Sequence, residues 1–191
     1  MIRKFEFHPT QIEGLILVKP FVAYDERGYF IKDYSQEVFE QNGIHHDLKE
    51  VFYTNSHKGV VRAIHFQRDK QQAKLVRCVW GHVYDVVVDL RKKSDTFGKW
   101  QGFDLSEENK DELYVPDGCG HGYLVLEHSV VSYKCGEKFY GEYDDGILWN
   151  DPDINVKWPL ELVGGKEKVI LSDKDKDLQT FAQFKKTYGG F

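Results

Sequence analysis

The sequence has little of several features that define other protein classes. Its three cysteines, Cys78, Cys119 and Cys135, are far apart and include no C-x-x-C pair. This spacing argues against a zinc site or a disulfide scaffold and is typical of a reducing cytoplasm. Acidic residues outnumber basic ones, 31 to 26, so nucleic acid is not an expected partner. Neither a secretory signal nor an apolar run of roughly 20 residues occurs, and we therefore expect a cytoplasmic protein without membrane contact.

What the sequence does contain predicts a mainly β protein. No repeat or linker divides the 191 residues, which we interpret as one domain over residues 1–191. Aromatic residues make up 15%, which suits a sheet-rich interior. Short β-rich runs separated by turn signals predict a sandwich or barrel. These runs are 15–18, 29–34, 60–66, 75–90, 102–105, 122–126 and 130–134.

The local patterns also predict one hairpin and two helices. Residues 75–80 and 83–90 are apolar segments on either side of Gly81-His82, and this pattern indicates a hairpin whose second arm is a central strand. A short helix is expected over 35–41, with Ser35 as a possible cap. A C-terminal helix is expected to begin after Ser172.

Two segments resemble the halves of a cupin-type β-barrel site without its metal ligands. Residues 116–121 keep the P-x-G-x-x-H turn, and residues 61–67 keep one histidine, His65. Gln67 stands where a metal-binding cupin has a second histidine, and Lys74 stands in place of a carboxylate. An ammonium group does not ligate a cation, so we expect no metal and a positively charged pocket for an anionic substrate.

A set of motifs in fixed order makes the resemblance more specific. The motifs are Arg27–Phe30, Gly59–Gln67, Lys74–Arg77, Val86–Arg91, Pro116–Gly122, Tyr133–Cys135, Gly146–Pro152 and Ser172–Asp175. In these motifs the chain is similar to the dTDP-4-dehydrorhamnose 3,5-epimerase family. This resemblance implies a metal-free, cupin-like jelly-roll barrel that needs no cofactor, is usually a homodimer with exchanged N-terminal strands, and acts on a nucleotide-linked 4-keto sugar.

An epimerisation of this kind needs a small set of chemical groups, and the sequence offers candidates for them. Inverting a carbon beside a ketone removes a proton on one face and returns one on the other, through an enolate. The reaction needs a base, an acid and a cation near the enolate oxygen. His65 is the candidate base, because imidazole titrates near neutral pH. Lys74 is the candidate cation. A histidine buried for structural reasons alone is the alternative for His65, but the polar neighbours Arg62 and Gln67 argue against it.

The family's motifs supply the other catalytic candidates. By resemblance, Asp175 is the partner of His65 and Tyr133 is the acid for the opposite face. Asp175 lies three residues after Ser172 and could instead complete a helix cap, with Asp173 as the partner of His65. Tyr133 could instead be an ordinary strand tyrosine.

Eight further residues are expected to contact the substrate. Cationic groups suit a diphosphate, since arginine provides forked donors. Arg27 and Lys174 could instead be solvated surface charges, and His121 could be a remnant of the cupin turn bonded to backbone. The substrate-binding set is Arg27, Lys32, Glu50, Arg62, Gln67, His121, Asp144 and Lys174.

Departures from the family's pattern leave the exact substrate open. Lys32 replaces a glutamate, Glu50 replaces a glutamine, and Phe139 replaces a tyrosine. A dTDP-linked 4-keto-6-deoxy sugar is the first expectation. A GDP-linked sugar or a heptose derivative, and epimerisation at C3 alone, are alternatives. A non-catalytic sugar-nucleotide binding module and a metal-dependent cupin are further alternatives from other classes.

Overall fold

The computed structural model describes residues 1–191, which form fourteen strands and three short α-helices. The helices are α1 (Gln36–Gln41), α2 (Asp173–Lys176) and α3 (Phe181–Tyr188), and two 3-10 turns cover Leu160–Val163 and Lys166–Lys168. The strands are β1 (Ile2–Arg3), β2 (Glu6–Pro9), β3 (Ile16–Lys19), β4 (Phe21–Asp25), β5 (Gly28–Lys32), β6 (Glu50–Ser56), β7 (Val61–Gln67), β8 (Lys74–Trp80), β9 (His82–Asp89), β10 (Trp100–Ser106), β11 (Glu112–Val115), β12 (Cys119–Val125), β13 (Ser129–Cys135) and β14 (Asp144–Gly146). None of the helices has the length and apolar character needed to cross a membrane.

Two antiparallel sheets form the body of the fold. The five-stranded sheet has the order β10-β9-β12-β7-β14, and the six-stranded sheet has the order β2-β3-β11-β8-β13-β6. Val76 and Val131 of the larger sheet share one buried apolar cluster with Val87 and Val125 of the smaller sheet. The predicted cupin-like, mainly β architecture is therefore confirmed.

The predicted hairpin around Gly81 is wrong. Strands β8 and β9 follow each other directly, but β8 pairs with β11 and β13, whereas β9 pairs with β10 and β12. The turn carries the chain from one sheet to the other. Gly81 has φ +77°, and a Cβ there would lie 2.1 Å from the carbonyl oxygen of His128, so this sharp crossing requires glycine. The expectation that β9 is a central strand is confirmed.

The helix predicted over 35–41 is present as α1, and the predicted C-terminal helical region is divided into α2 and α3. Ser35 occupies the N-cap position of α1, but its side chain makes no capping hydrogen bond. Ser172 does cap α2, which is a single turn. The longer C-terminal helix is α3, and its capping box is formed by Thr180 and Gln183.

The C-terminal segment covers the outer face of the five-stranded sheet. Phe184 of α3 is completely buried and shares an apolar cluster with Val86 and Ile64. This packing also brings α2 against the end of β7, because α2 immediately precedes α3 in the chain. One end of the sandwich thereby receives side chains from both sheets and from α2.

A third, smaller sheet stands apart from the sandwich. It contains β1, β4 and β5 in the order β1-β4-β5. Its aromatic residues are unusually exposed, with Tyr29 at 49% and Phe30 at 59%. Two hydrogen bonds help to join this sheet to the sandwich. The carboxylate of Asp33, directly after β5, accepts a hydrogen bond from Lys134 Nζ at 2.8 Å, and Arg3 of β1 donates to the Asn109 carbonyl oxygen at 3.2 Å.

Candidate active site

A cavity of about 190 Å³ opens between the two sheets. Seven of the residues predicted from the sequence line it: Arg62, His65, Gln67, Lys74, His121, Tyr133 and Asp144. Five more line it without having been predicted as site residues: Phe52, Thr54, Phe66, Gln72 and Phe139. The structure therefore brings most of the predicted set into one place.

His65 and Asp175 form a hydrogen-bonded pair at the cavity. His65 Nε2 contacts Asp175 Oδ1, and the Asp175 side chain is only 6% exposed. Burial acts to raise the pKa of Asp175, but the hydrogen bond and charge of His65, with help from Ser172 and Lys174, hold it below its usual value. An ionised carboxylate only accepts hydrogen bonds, so Nε2 carries the proton and Nδ1 keeps a lone pair. That arrangement leaves His65 able to accept a proton.

Asp175 both takes part in a helix cap and pairs with His65. The backbone N–H of Asp175 donates to Ser172 Oγ at 3.1 Å, so the residue lies within a helix cap as well as beside His65. Asp173 is 98% exposed and pairs with Lys176 at 2.8 Å. Its carboxylate therefore points away from the histidine.

Tyr133 approaches the cavity from the other sheet. It lies on β13, whereas His65 lies on β7 of the five-stranded sheet. Its ring stacks on Phe52, with centroids 4.7 Å apart, and packs edge-on against His121 at 5.8 Å. Burial, reinforced by the nearby Tyr123 and Asp85, raises the pKa of Tyr133 well above its usual value. A raised pKa keeps the phenol protonated at neutral pH, so Tyr133 has a proton that it can donate within the cavity.

Lys74 and His121 line the same cavity, and each lies near acidic groups. Burial lowers the pKa of Lys74, and acidic neighbours that include Asp144 and Asp85 oppose the shift. His121 Nε2 lies 2.8 Å from Asp85 Oδ2, so this histidine bonds to a carboxylate rather than to the backbone. Burial raises the pKa of Asp85 even though His121 and Lys74 act to lower it.

Asp85 was missed by the sequence analysis, although a signal existed. It is the one carboxylate within the apolar run Val83–Val88, and it is completely buried. A carboxylate in the middle of a central strand requires a partner, because an unpaired buried charge is very costly. In the structure His121 bonds to Asp85, and Lys74 is a nearby positive group.

The remaining predicted contacts differ in their surroundings. Arg62 Nε donates to Ser56 Oγ at 3.0 Å. Asp144 pairs with Lys174, which is half exposed, across the cavity rim. Glu50 lies just outside, in an adjoining pocket of about 360 Å³ that also includes Phe52 and Phe139.

Arg27 and Lys32 lie away from the cavity of their own chain. Arg27 is at the tip of the β4–β5 hairpin, 85% exposed, with its guanidinium bonded to Asp25. Lys32 ends β5 and is also exposed. Neither residue lines the cavity formed by its own chain.

Comparison with known proteins identifies the family. The family model described as dTDP-4-dehydrorhamnose 3,5-epimerase matches residues 9–183. The chain belongs to this family. It is 45% identical over 175 residues to the dTDP-4-dehydrorhamnose 3,5-epimerase of Methanothermobacter thermautotrophicus, an alignment that covers 91% of this chain and 93% of the relative. The predicted family and the predicted isomerase class, an epimerase, are therefore confirmed.

Solved structures of the family have the same fold. One is the dTDP-6-deoxy-D-glucose-3,5-epimerase of Legionella pneumophila in complex with dTDP-4-keto-L-rhamnose, with a TM-score of 0.87, 36% identity, and 93% of each chain covered. Another is a 3'-monoepimerase of Streptomyces bikiniensis in complex with dTDP-quinovose, with a TM-score of 0.86 and 31% identity. That alignment covers 94% of this chain and 89% of the other. The family fold is thus found in enzymes named for double and for single epimerisation.

Proposed function

We propose that this protein epimerises a dTDP-linked 4-keto-6-deoxy sugar at C3 and C5, in deoxysugar biosynthesis. The observation that carries the proposal is the position of a histidine–carboxylate pair and a protonated tyrosine on opposite sheets of one cavity. A base on one side and an acid on the other is the arrangement that inversion of a carbon centre requires. The names of the relatives support dTDP as the nucleotide.

The proposed mechanism uses only side chains of the cavity. His65 Nδ1 takes the proton from the carbon beside the ketone, and the electron pair of the broken C–H bond moves onto the ketone oxygen as an enolate. Lys74 and the His121–Asp85 pair stabilise this oxygen. Tyr133 then returns a proton to the same carbon from the opposite face, and proton exchange with solvent restores both side chains.

Epimerisation at C3 alone is a second candidate. The similarity to a 3'-monoepimerase and the presence of Phe139 at the cavity favour it. A phenyl ring lacks the hydroxyl that the family's tyrosine would offer the sugar as its ring changes conformation. The GDP-linked sugar and the heptose remain alternatives because of Lys32 and Glu50.

Deuterium incorporation tests the reaction. The protein is incubated in D₂O with freshly prepared dTDP- and GDP-linked 4-keto-6-deoxy sugars, and the products are examined by mass spectrometry and proton NMR. We expect uptake at C3 and C5 of the dTDP sugar. Uptake at C3 alone would establish the single epimerisation, and uptake only in the GDP sugar would change the nucleotide. Binding without uptake would leave a non-catalytic binding module.

We further propose a single-domain, cytoplasmic homodimer that contacts neither membrane nor nucleic acid. The exposed aromatic surface of the β1-β4-β5 sheet supports an interface between two copies, since exposed apolar patches of this kind mark association surfaces. In such a dimer Arg27 and Lys32 would reach the partner's cavity and bind substrate there. Light scattering should give twice the monomer mass. A monomer with full activity would contradict both the dimer and the roles of these two residues.

A further inference from the structure

We propose that Glu50 and Gln67 are positioning residues that fix the loop over residues 136–141, here called the rim loop, and thereby set the affinity for the nucleotide part of the substrate. The inference rests on the proposed function for the identity of the ligand. It differs from the sequence-based expectation, which gave both residues direct contact with the substrate.

The start of the rim loop is held by two hydrogen bonds: the Gly136 N–H donates to the Ala73 carbonyl oxygen, and the Gln72 side chain donates to the Glu137 carbonyl oxygen, both at 2.8 Å. The next three residues are held by the side chains of Glu50 and Gln67. Glu50 Oε2 accepts a hydrogen bond from the backbone N–H of Phe139 at 2.8 Å. Gln67 Oε1 accepts from the backbone N–H of Tyr140 at 2.6 Å, and Gln67 Nε2 donates to the Lys138 carbonyl oxygen at 3.1 Å. Three consecutive residues of the loop therefore have a backbone group bonded to one of these two side chains.

These hydrogen bonds fasten the loop to both sheets. Glu50 begins β6, the edge strand of the six-stranded sheet, and is the register partner of Cys135, where the chain leaves β13. Gln67 ends β7 in the five-stranded sheet and is 4% exposed. The rim loop therefore spans the mouth of the cavity between the two sheets, and its position depends on both side chains.

Both N–H donors of Gln67 and one lone pair of its oxygen are used within the protein. Its oxygen bonds to Tyr140, and its nitrogen donates to the carbonyls of Lys138 and Lys70, the latter at 2.6 Å. An amide has two N–H donors, and both have acceptors here. We therefore infer that Gln67 affects nucleotide affinity by fixing the position of the rim loop.

The fixed loop presents Phe139 to the outer pocket. Phe139 is 54% exposed, and it lines both the catalytic cavity and the adjoining pocket next to Phe52. Stacking of an aromatic ring on a planar ligand group contributes most to binding when the ring is already held in place, because less rotational freedom is then lost on binding. The planar group of a nucleotide sugar is its base, which extends beyond the reacting sugar.

The test uses variants at Glu50 and Phe139. Glu50→Ala is expected to weaken binding of dTDP, measured by calorimetry, about 10- to 30-fold, and to raise KM similarly with kcat within about twofold. Glu50→Gln is expected to bind nearly as the wild type does, because its amide oxygen still accepts from Phe139. Hydrogen exchange of the peptide over residues 136–140 should be faster in Glu50→Ala and unchanged in Glu50→Gln. Glu161→Ala, an exposed glutamate far from the cavity, is the control.

The double variant separates positioning from direct contact. If Glu50 acts through Phe139, then adding Glu50→Ala to Phe139→Ala causes little further loss of dTDP affinity. Full additivity, or a Glu50→Gln variant as weak as Glu50→Ala, would overturn the inference. Because dTDP binding and hydrogen exchange need no turnover, failure of the epimerase assay would leave these results interpretable. GDP is titrated in parallel, and a wild-type protein that binds neither nucleotide would refute the inference.

Discussion

Replacing Asp175 by asparagine tests the proposed base most directly. The substitution keeps the size of the side chain and the backbone hydrogen bond from Asp175 to Ser172 Oγ. It removes the negative charge beside His65 Nε2 and offers an N–H donor in its place. The imidazole would then turn its lone pair toward residue 175 and its proton toward the substrate, which is the wrong tautomer for a base.

The expected loss can be worked out from this contact. A hydrogen bond to a charged group contributes about 1.5–3 kcal/mol, which corresponds to roughly 10- to 150-fold in rate. The wrong tautomer adds to this loss, so we expect kcat to fall by about 10²–10⁴-fold. KM should change little, since Asp175 contacts His65 but does not itself line the cavity.

The assay is the initial rate of deuterium uptake by the 4-keto sugar, with thermal unfolding followed by circular dichroism. Asp173→Asn is the matched control: it makes the same chemical change in the same helix, on a carboxylate that is 98% exposed and bonded to Lys176. It should leave the rate within about twofold. Near-normal turnover by a folded Asp175→Asn variant would refute the assignment of His65 and Asp175 as the catalytic pair.

Three further predictions concern the acid, the stability and the thiols. Tyr133→Phe should retain proton abstraction by the base but lose inversion, so NMR should detect deuterium uptake with retained configuration. Inversion at the wild-type rate would contradict the role of Tyr133 as the acid. Although burial opposes ionisation, hydrogen bonds hold the pKa of the Asp89 carboxyl at about 2, below the usual value for an aspartate. The ionised carboxylate therefore stabilises the fold by about 2 kcal/mol above pH 4, and this contribution is lost as the pH falls toward 2. Asp89→Asn should remove the contribution at neutral pH, measured by urea unfolding. An unchanged midpoint of unfolding would contradict this role of Asp89. Burial raises the pKa to about 11 for Cys78 and Cys135 and to about 12 for Cys119, so native protein should resist iodoacetamide at pH 8, and rapid labelling would contradict the buried positions.

The sequence predicted the residues of the cavity better than the path of the chain. His65, Lys74 and Tyr133 were identified because their residue types and motif positions match a known reaction. The pairing of β8 and β9 was wrong because Gly81 with an apolar run on each side is a local pattern, whereas the choice of sheet depends on β11, β12 and β13. These strands come later in the chain and compete for the same edges, and no local pattern records that competition.

The same limit explains why partners of predicted residues were missed. Asp85 lies 36 residues before His121, and Gln67 lies 71 residues before its acceptor on Lys138. The sequence indicated that Gln67 departs from the cupin pattern. Its hydrogen-bond partners lie on the rim loop, which only the fold brings next to Gln67. Residue type can predict that a side chain needs a partner; only the fold identifies which one it has.

The cupin positions that the sequence analysis singled out share one property in the structure. His65 bonds to Asp175, His121 bonds to Asp85, and Gln67 bonds to the rim loop. His65 and His121 are moreover register partners on adjacent strands, so two histidine–carboxylate pairs lie side by side. Lys74, in the same cavity, has Asp85 and Asp144 among its acidic neighbours. In the proposed mechanism Lys74 stabilises the enolate while His65 accepts a proton, and the hydrogen bond to Asp175 would hold His65 in position before the substrate arrives.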